Sequence, residues 1–204
     1  MTAPSTAYNS PRIAIQRGVT LAAMVCVAGC MALAYSDSWP QMRMLQLARA
    51  LGWAATGGLL ATLSSSPIAR TATMLGVQFP AGIAHLRRAL GIATALLALL
   101  HGVVAYVVAV HPQPLLLWSW PHLHFGVLAL AVLLLLLATS FPRVVKVTHL
   151  HAWKELHRLA YVAAVFSLLH AALSPWASRM VLLWAYGLWA ALKFTTWAIW
   201  RARA

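Results

Sequence analysis

Acidic residues are almost missing from this chain: Asp37 and Glu155 are the only two in 204 residues. That scarcity leaves no acid/base pair for hydrolytic or proton-transfer chemistry of the usual carboxylate kind. A Gly-rich nucleotide fingerprint is also missing, as is any connection long enough to hold a soluble domain. A module binding NAD(P)H would therefore have to be a separate protein. Cysteine is scarce too. Cys26 and Cys30 stand four apart, so on a helix they share a face and read as two small apolar side chains in a seam. They do not form the Cys-x-x-Cys-His motif, which excludes covalent haem attachment.

What the chain has instead is apolar bulk: 62% of its residues are hydrophobic and 8% charged, the composition of a membrane protein. The formal net charge of +13 raises the question of nucleic acid. The basic residues, however, sit at the ends of apolar runs and form no patch or aromatic-studded stripe, so lipid phosphates are their natural partners. Six apolar runs approach the roughly twenty residues that cross ~30 Å of hydrocarbon. They are Gly18–Tyr35, Ala50–Leu63, Ala89–Val110, Leu123–Phe141, Leu159–Leu173 and Met180–Trp200. Breaks carrying Pro and Ser separate them, among them Ser64-Ser65-Ser66-Pro67, His111-Pro112-Gln113-Pro114 and Ser174-Pro175. The expected fold is an all-α six-helix membrane bundle: residues 1–17 form a cytoplasmic tail and residues 18–204 a single transmembrane domain. No internal repeat is visible.

Orientation follows from lysine and arginine. With the N-terminus inside, only Arg43, Arg49 and Arg179 face out and the other twelve face in, the positive-inside pattern for both termini in the cytoplasm. Trp39, Trp118, Trp120 and Trp176 then fall in an outer aromatic belt, and Trp153 and Trp200 near the inner one. Arg12, Arg17 and Ala32-Leu33-Ala34 also permit a cleaved signal peptide, which would leave five spans and the same C-terminal orientation.

Against this apolar background His101 and His170 stand out, each sunk in a separate run. An imidazole at membrane depth is costly without a partner, so such a histidine is a candidate ligand or proton relay. His101 lies thirteen residues beyond Arg88 and His170 twelve beyond Arg158. At a rise of ~1.5 Å per residue both stand ~18–20 Å above the inner boundary, nearly level in the outer half of the membrane. Two neutral imidazoles facing each other across a bundle suit a low-spin b-type haem, held between the third and fifth spans. The bland alternative is a hydrogen bond from each to a neighbouring helix. Arg87 and Arg88 either mark a helix end or use their planar forks on a haem propionate or flavin phosphate. His122 and His124 read as part of an outer membrane-surface loop.

The stretch Leu86-Arg87-Arg88-Ala89-Leu90-Gly91 with His101, then Leu137-Ala138-Thr139-Ser140, then Trp153-Lys154-Glu155-Leu156-His157-Arg158-Leu159-Ala160-Tyr161 with His170, resembles the ferric-reductase-like transmembrane family. Within it the likeness is greatest to the haem-binding membrane subunit of periplasmic methionine sulfoxide reductase systems. Ala61-Thr62-Leu63, Pro67-Ile68-Ala69-Arg70 and Leu192-Lys193-Phe194 extend it over nearly the whole chain, most weakly in the first helix. The resemblance implies a bacterial inner-membrane protein that carries electrons from a cytosolic flavin or flavin reductase to a periplasmic molybdopterin enzyme. It would hold one haem b, with a second haem or an FMN left open.

The resemblance also carries over His157. In the wider family two histidines on each of two helices, spaced near fourteen, bind two stacked haems. Here the step from His157 to His170 is thirteen, a rotation of about 220° on an ideal helix, and the position fourteen before His101 is Arg87. An inner haem or flavin at His157 would need an unusual partner, such as His85, His149 or His151, or none. A structural hydrogen bond near the membrane surface is the competing account of His157. Two other functions compete with electron transfer to a partner: a stand-alone transmembrane ferric or quinone oxidoreductase, and a small proton-coupled transporter.

Overall fold

In lipid every backbone N–H and C=O must find a partner within its own segment, which leaves a chain this apolar few options besides helices. The computed structural model describes residues 10–36, 39–77, 83–111, 113–141, 144, 150–175 and 177–203, and it contains no strand among them. Helix α1 is Ser10–Tyr35, α2 Pro40–Met74 and α3 Ile83–Ala105, the last closing in a π-turn over Tyr106–Val110. There the His111 N–H donates to the Tyr106 carbonyl, five residues back. A short α4 (Leu116–Ser119) precedes α5 (Pro121–Thr139). Helices α6 (Leu150–Leu156), α7 (Leu159–Leu173) and α8 (Arg179–Arg203) complete the order.

Four stretches, Ile13–Tyr35, His85–Val110, Pro121–Thr139 and Ala152–Leu173, are long and apolar enough to cross a membrane. Helices α2 and α8 have the length, 35 and 25 residues, but carry Ser, Thr, Arg or Lys along it. Several of these polar side chains are turned into the protein, since Thr62, Ser65 and Thr196 are all buried. Between the two helices the Thr71 and Thr196 hydroxyls meet at 3.0 Å.

The expected break at Ser64-Ser65-Ser66-Pro67 does not occur: α2 runs through it without interruption. Pro67 cannot donate to the carbonyl four residues back. The Thr62 hydroxyl donates to the Gly58 carbonyl and the Ser65 hydroxyl to that of Thr62, so both polar side chains near Pro67 are satisfied within the helix itself. The breaks at His111 and at Ser174-Pro175 do end helices. Pro40 and Pro121 stand in the first turns of α2 and α5, where a missing N–H costs nothing.

Helix α2 packs most extensively on α3, and α5 on α7. One core gathers Leu59, Leu63, Ala95, Leu133, Leu136, Ala163 and Leu182 from α2, α3, α5, α7 and α8. A second holds Cys30 of α1 against Leu51, Ala55 and Leu97, so Cys30 does sit in a helix seam.

Candidate functional site: a histidine pair above a basic cavity

His101 on α3 and His170 on α7 face each other with ring centroids 6.1 Å apart and planes at 71°. His101 Nδ1 lies 2.7 Å from the Ala48 carbonyl of α2, and His170 Nδ1 lies 2.7 Å from the His122 carbonyl of α5. A carbonyl only accepts, so each Nδ1 carries the proton and each Nε2 keeps its lone pair. This is the tautomer of a metal-ligating histidine whose other nitrogen is held by the protein.

The pair passes a simple test of fit. Two imidazole nitrogens at about 2.0 Å from one metal put the ring centroids roughly 6 Å apart, which matches the observed separation. No group of three or more His, Cys, Asp or Glu is placed to hold a metal ion among the described residues. A haem iron takes its other ligands from its macrocycle, so two imidazoles are all that such a group would need from the protein here.

His122 and His124 belong to the first turn of α5, not to a surface loop, because Pro121 starts the helix immediately before them. The His122 ring stacks 5.5 Å from Trp120 and lies 6.1 Å from the His170 ring. Its role in holding His170 runs through its backbone carbonyl, so residue type carried no signal of it.

Below the histidines opens a cavity of about 910 Å³ walled by α2, α3, α5, α6, α7 and α8. It brings together Arg87, Arg88 and His157 with Arg70, Lys154, Arg158 and Lys193. No acidic residue lines it among the described residues. Arg87 Nη1 donates to the Ser66 hydroxyl at 3.0 Å, while Arg88 is tied to the Ser140 carbonyl. The nearest acid in sequence, Glu155, is paired with Arg158 at 2.7 Å on an exposed face. Thr94, only 1% exposed, lines the cavity with a hydroxyl that has no hydrogen-bond partner.

His157 stands at this cavity with Nδ1 3.0 Å from the Trp153 carbonyl and Nε2 3.3 Å from the Ser140 hydroxyl. Ser140 has a second acceptor, the Leu136 carbonyl at 2.7 Å, so its single proton is not committed to the imidazole. The Trp153 ring covers His157 at 3.9 Å, and its indole N–H donates to the Thr139 carbonyl.

The chain from His157 to His170 is not one ideal helix. Helix α6 ends at Leu156, and the N–H groups of Arg158, Ala160 and Tyr161 donate three residues back. Such tightened turns advance by ~20° more per residue than α-helix, which brings the two histidines nearer to one face than a step of thirteen implies. Of the partners considered for His157, His85 does not line the cavity, His149 lies outside the described residues, and so does the side chain of His151.

Thr94, at the cavity, is seven residues from His101 on α3, a rise of roughly 10 Å. The cavity therefore reaches far closer to the histidine pair than the inner helix ends do. Sequence reasoning missed Thr94, Lys193, Tyr161, Ser140 and the two carbonyl acceptors. Lys193 offered a usable signal, being the exception among the basic residues: it stands inside the apolar run Met180–Trp200 and not at its end.

Compared with known proteins, residues 19–168 match the family described as ferric reductase like transmembrane component. The matched stretch contains His101, Arg87, Arg88 and His157 and ends two residues before His170. No curated protein matches the chain. Most of the sequence is thus covered by one family model, and the protein is a multi-pass membrane protein that belongs to the ferric-reductase-like transmembrane family.

Proposed function

We propose that this protein is a b-type haem electron-transfer subunit of the bacterial inner membrane, in which His101 and His170 would hold the haem iron. The observation that carries the reading is the pair itself: two level imidazoles, 6.1 Å apart, each with Nδ1 held by a carbonyl and Nε2 left to ligate. Haem, when bound, supplies one-electron exchange, and two imidazoles leave its iron no open position for substrate. The protein's residues hold and orient the group and keep water from it.

The basic cavity supports a second, inner redox site. Arg87 and Arg88 offer forks for a propionate or a phosphate. His157 lines the same space, with only the Ser140 hydroxyl at its Nε2, so an inner haem or an FMN is the matching cargo. The donor would be a cytosolic flavin or flavin reductase, and the acceptor a periplasmic molybdopterin-dependent methionine sulfoxide reductase. This partner assignment rests on the likeness of the Trp153–Tyr161 block and His170 to the haem-binding subunit of such systems. Six spans with both termini cytoplasmic complete the reading, on the strength of the basic-residue bias. A stand-alone ferric or quinone reductase would use the same haem site with a different acceptor. The proton-coupled transporter draws no support from the family.

The deciding experiment is the reduced-minus-oxidised spectrum of the purified protein. A low-spin b-type spectrum is expected, lost in His101→Ala and His170→Ala while both variants remain in the membrane. A spectrum intact in both variants would refute the pairing.

A further inference from the structure

We infer that Gly52 and Gly126 are positioning residues for the two histidines, each opening its helix so that an imidazole on the neighbouring helix can reach a backbone carbonyl one turn earlier. The inference rests on the proposed haem role of His101 and His170, and it names what holds those ligands in place.

The two half-sites repeat one arrangement. On α2, the Ala48 carbonyl accepts from His101 Nδ1, and Gly52 stands four residues later. On α5, the His122 carbonyl accepts from His170 Nδ1, and Gly126 stands four residues later. A helix carbonyl at position n points toward residue n+4, whose N–H it already accepts. A second donor must come in beside that residue, over the spot its side chain would cover.

At both positions the space is in fact taken by the ring. A methyl at Gly52 would stand 3.0 Å from His101 Cε1 and 3.1 Å from its Nδ1. At Gly126 it would stand 2.8 Å from His170 Nδ1 and 3.0 Å from Cε1. At Gly126 the contact is too close to stand, so ring or helix must shift, and at Gly52 the ring must give by a few tenths of an ångström; each shift lengthens the bond to the carbonyl. Gly57 on α2 and Gly187 on α8 are different, because a methyl there meets nothing within 4 Å.

The chemical consequence concerns the ligand's basicity. An Nδ1–H bound to a carbonyl makes the imidazole a better electron donor at Nε2 and fixes its plane. Second-shell hydrogen bonding is one of the ways a protein tunes a haem. Because both acceptors are uncharged carbonyls, the rings stay neutral. Weakening either bond makes the ligand a poorer donor, favours the ferrous state and shifts the midpoint potential upward.

The test compares Gly52→Ala and Gly126→Ala with Gly57→Ala and Gly187→Ala in the full-length membrane protein. Redox titration and low-temperature EPR of the ferric haem are the readouts. The first two variants are expected to raise the midpoint potential and move the low-spin signals, or to lose haem; the other two should match the unsubstituted protein. Unchanged potential and EPR in Gly52→Ala and Gly126→Ala would overturn the inference. If Gly52→Ala fails to accumulate, the double variant with His101→Ala decides, since it removes the ring that the methyl strikes. Recovery to the level of His101→Ala alone supports the inference, and continued failure shows that Gly52 serves helix packing instead. The same pair of variants exists for Gly126 and His170. This accumulation test needs no haem, so an unsubstituted protein without a haem spectrum would sink the proposed function while leaving the glycine contact separately measurable.

Discussion

Lys193 on α8 donates to the Tyr161 hydroxyl of α7 at 2.7 Å, and its ammonium lies 4.7 Å from the centroid of the same ring. The cation is thus held on the wall of the basic cavity, with the aromatic ring and hydroxyl as its partners. Together with Arg87 it makes the cavity a place for a negative group. Lys193→Met should therefore weaken binding of FMN or of a second haem there by about tenfold or more, the equivalent of one charge-assisted hydrogen bond. Tyr161→Phe, which keeps the ring but frees the ammonium, should have the smaller effect. Cofactor content per protein, measured after purification with each group supplied, checks both.

His157 is expected to matter for reduction and not for holding the outer haem. His157→Ala should leave the His101/His170 spectrum intact while slowing its reduction by a reduced cytosolic flavin donor. The rise of roughly 10 Å between Thr94 and His101 is the reason, since a redox group in the cavity shortens the gap that electrons must otherwise cross. Stopped-flow reduction of variant and parent protein gives the answer. Parent-like kinetics, or loss of the outer haem, would show that the two levels do not divide the work in this way.

Thr94→Val tests whether the cavity is built around a polar ligand. The buried hydroxyl has no partner. Removing it should stabilise the empty protein by about 1–3 kcal/mol, the usual cost of an unsatisfied buried polar group. The same change should weaken cofactor retention in the cavity. Thermal unfolding in detergent, with and without added cofactor, reads both effects, and a Thr94→Val protein less stable when empty would argue against the hydroxyl's being idle.

Topology is expected to place both termini inside. A periplasmic reporter fused after Arg203 should be inactive and a cytoplasmic one active. The opposite result would move the histidine pair to the inner half of the membrane and reverse the direction assigned to electron flow.

His101 and His170 stood out in the sequence because an ionisable residue inside a long apolar run calls for a partner, and the structure gives each a carbonyl on a neighbouring helix. Their alignment was legible too, since helix rise converts residue number into depth. Gly52, Gly126 and the Ala48 and His122 carbonyls were not, because a contact to backbone depends on how two helices approach and leaves no mark on residue type. The fate of Ser64-Ser65-Ser66-Pro67 was misread for a related reason. Pro67 removes a single N–H, and the packing of α2 on α3 and its other neighbours carries the helix across that gap.

By itself the sequence determined the class of protein, the apolar segments and the two levels at which chemistry is possible, because hydrophobicity and spacing along a helix are one-dimensional properties. Only the tertiary structure decided that α2 pairs with α3 and α5 with α7 to offer one carbonyl to each histidine. It likewise brought Lys193 to a cavity shared with Arg87 and His157. Those relations join residues 36 to 106 positions apart, and they are set by which helix faces pack together, a choice that residue order along any single helix does not contain.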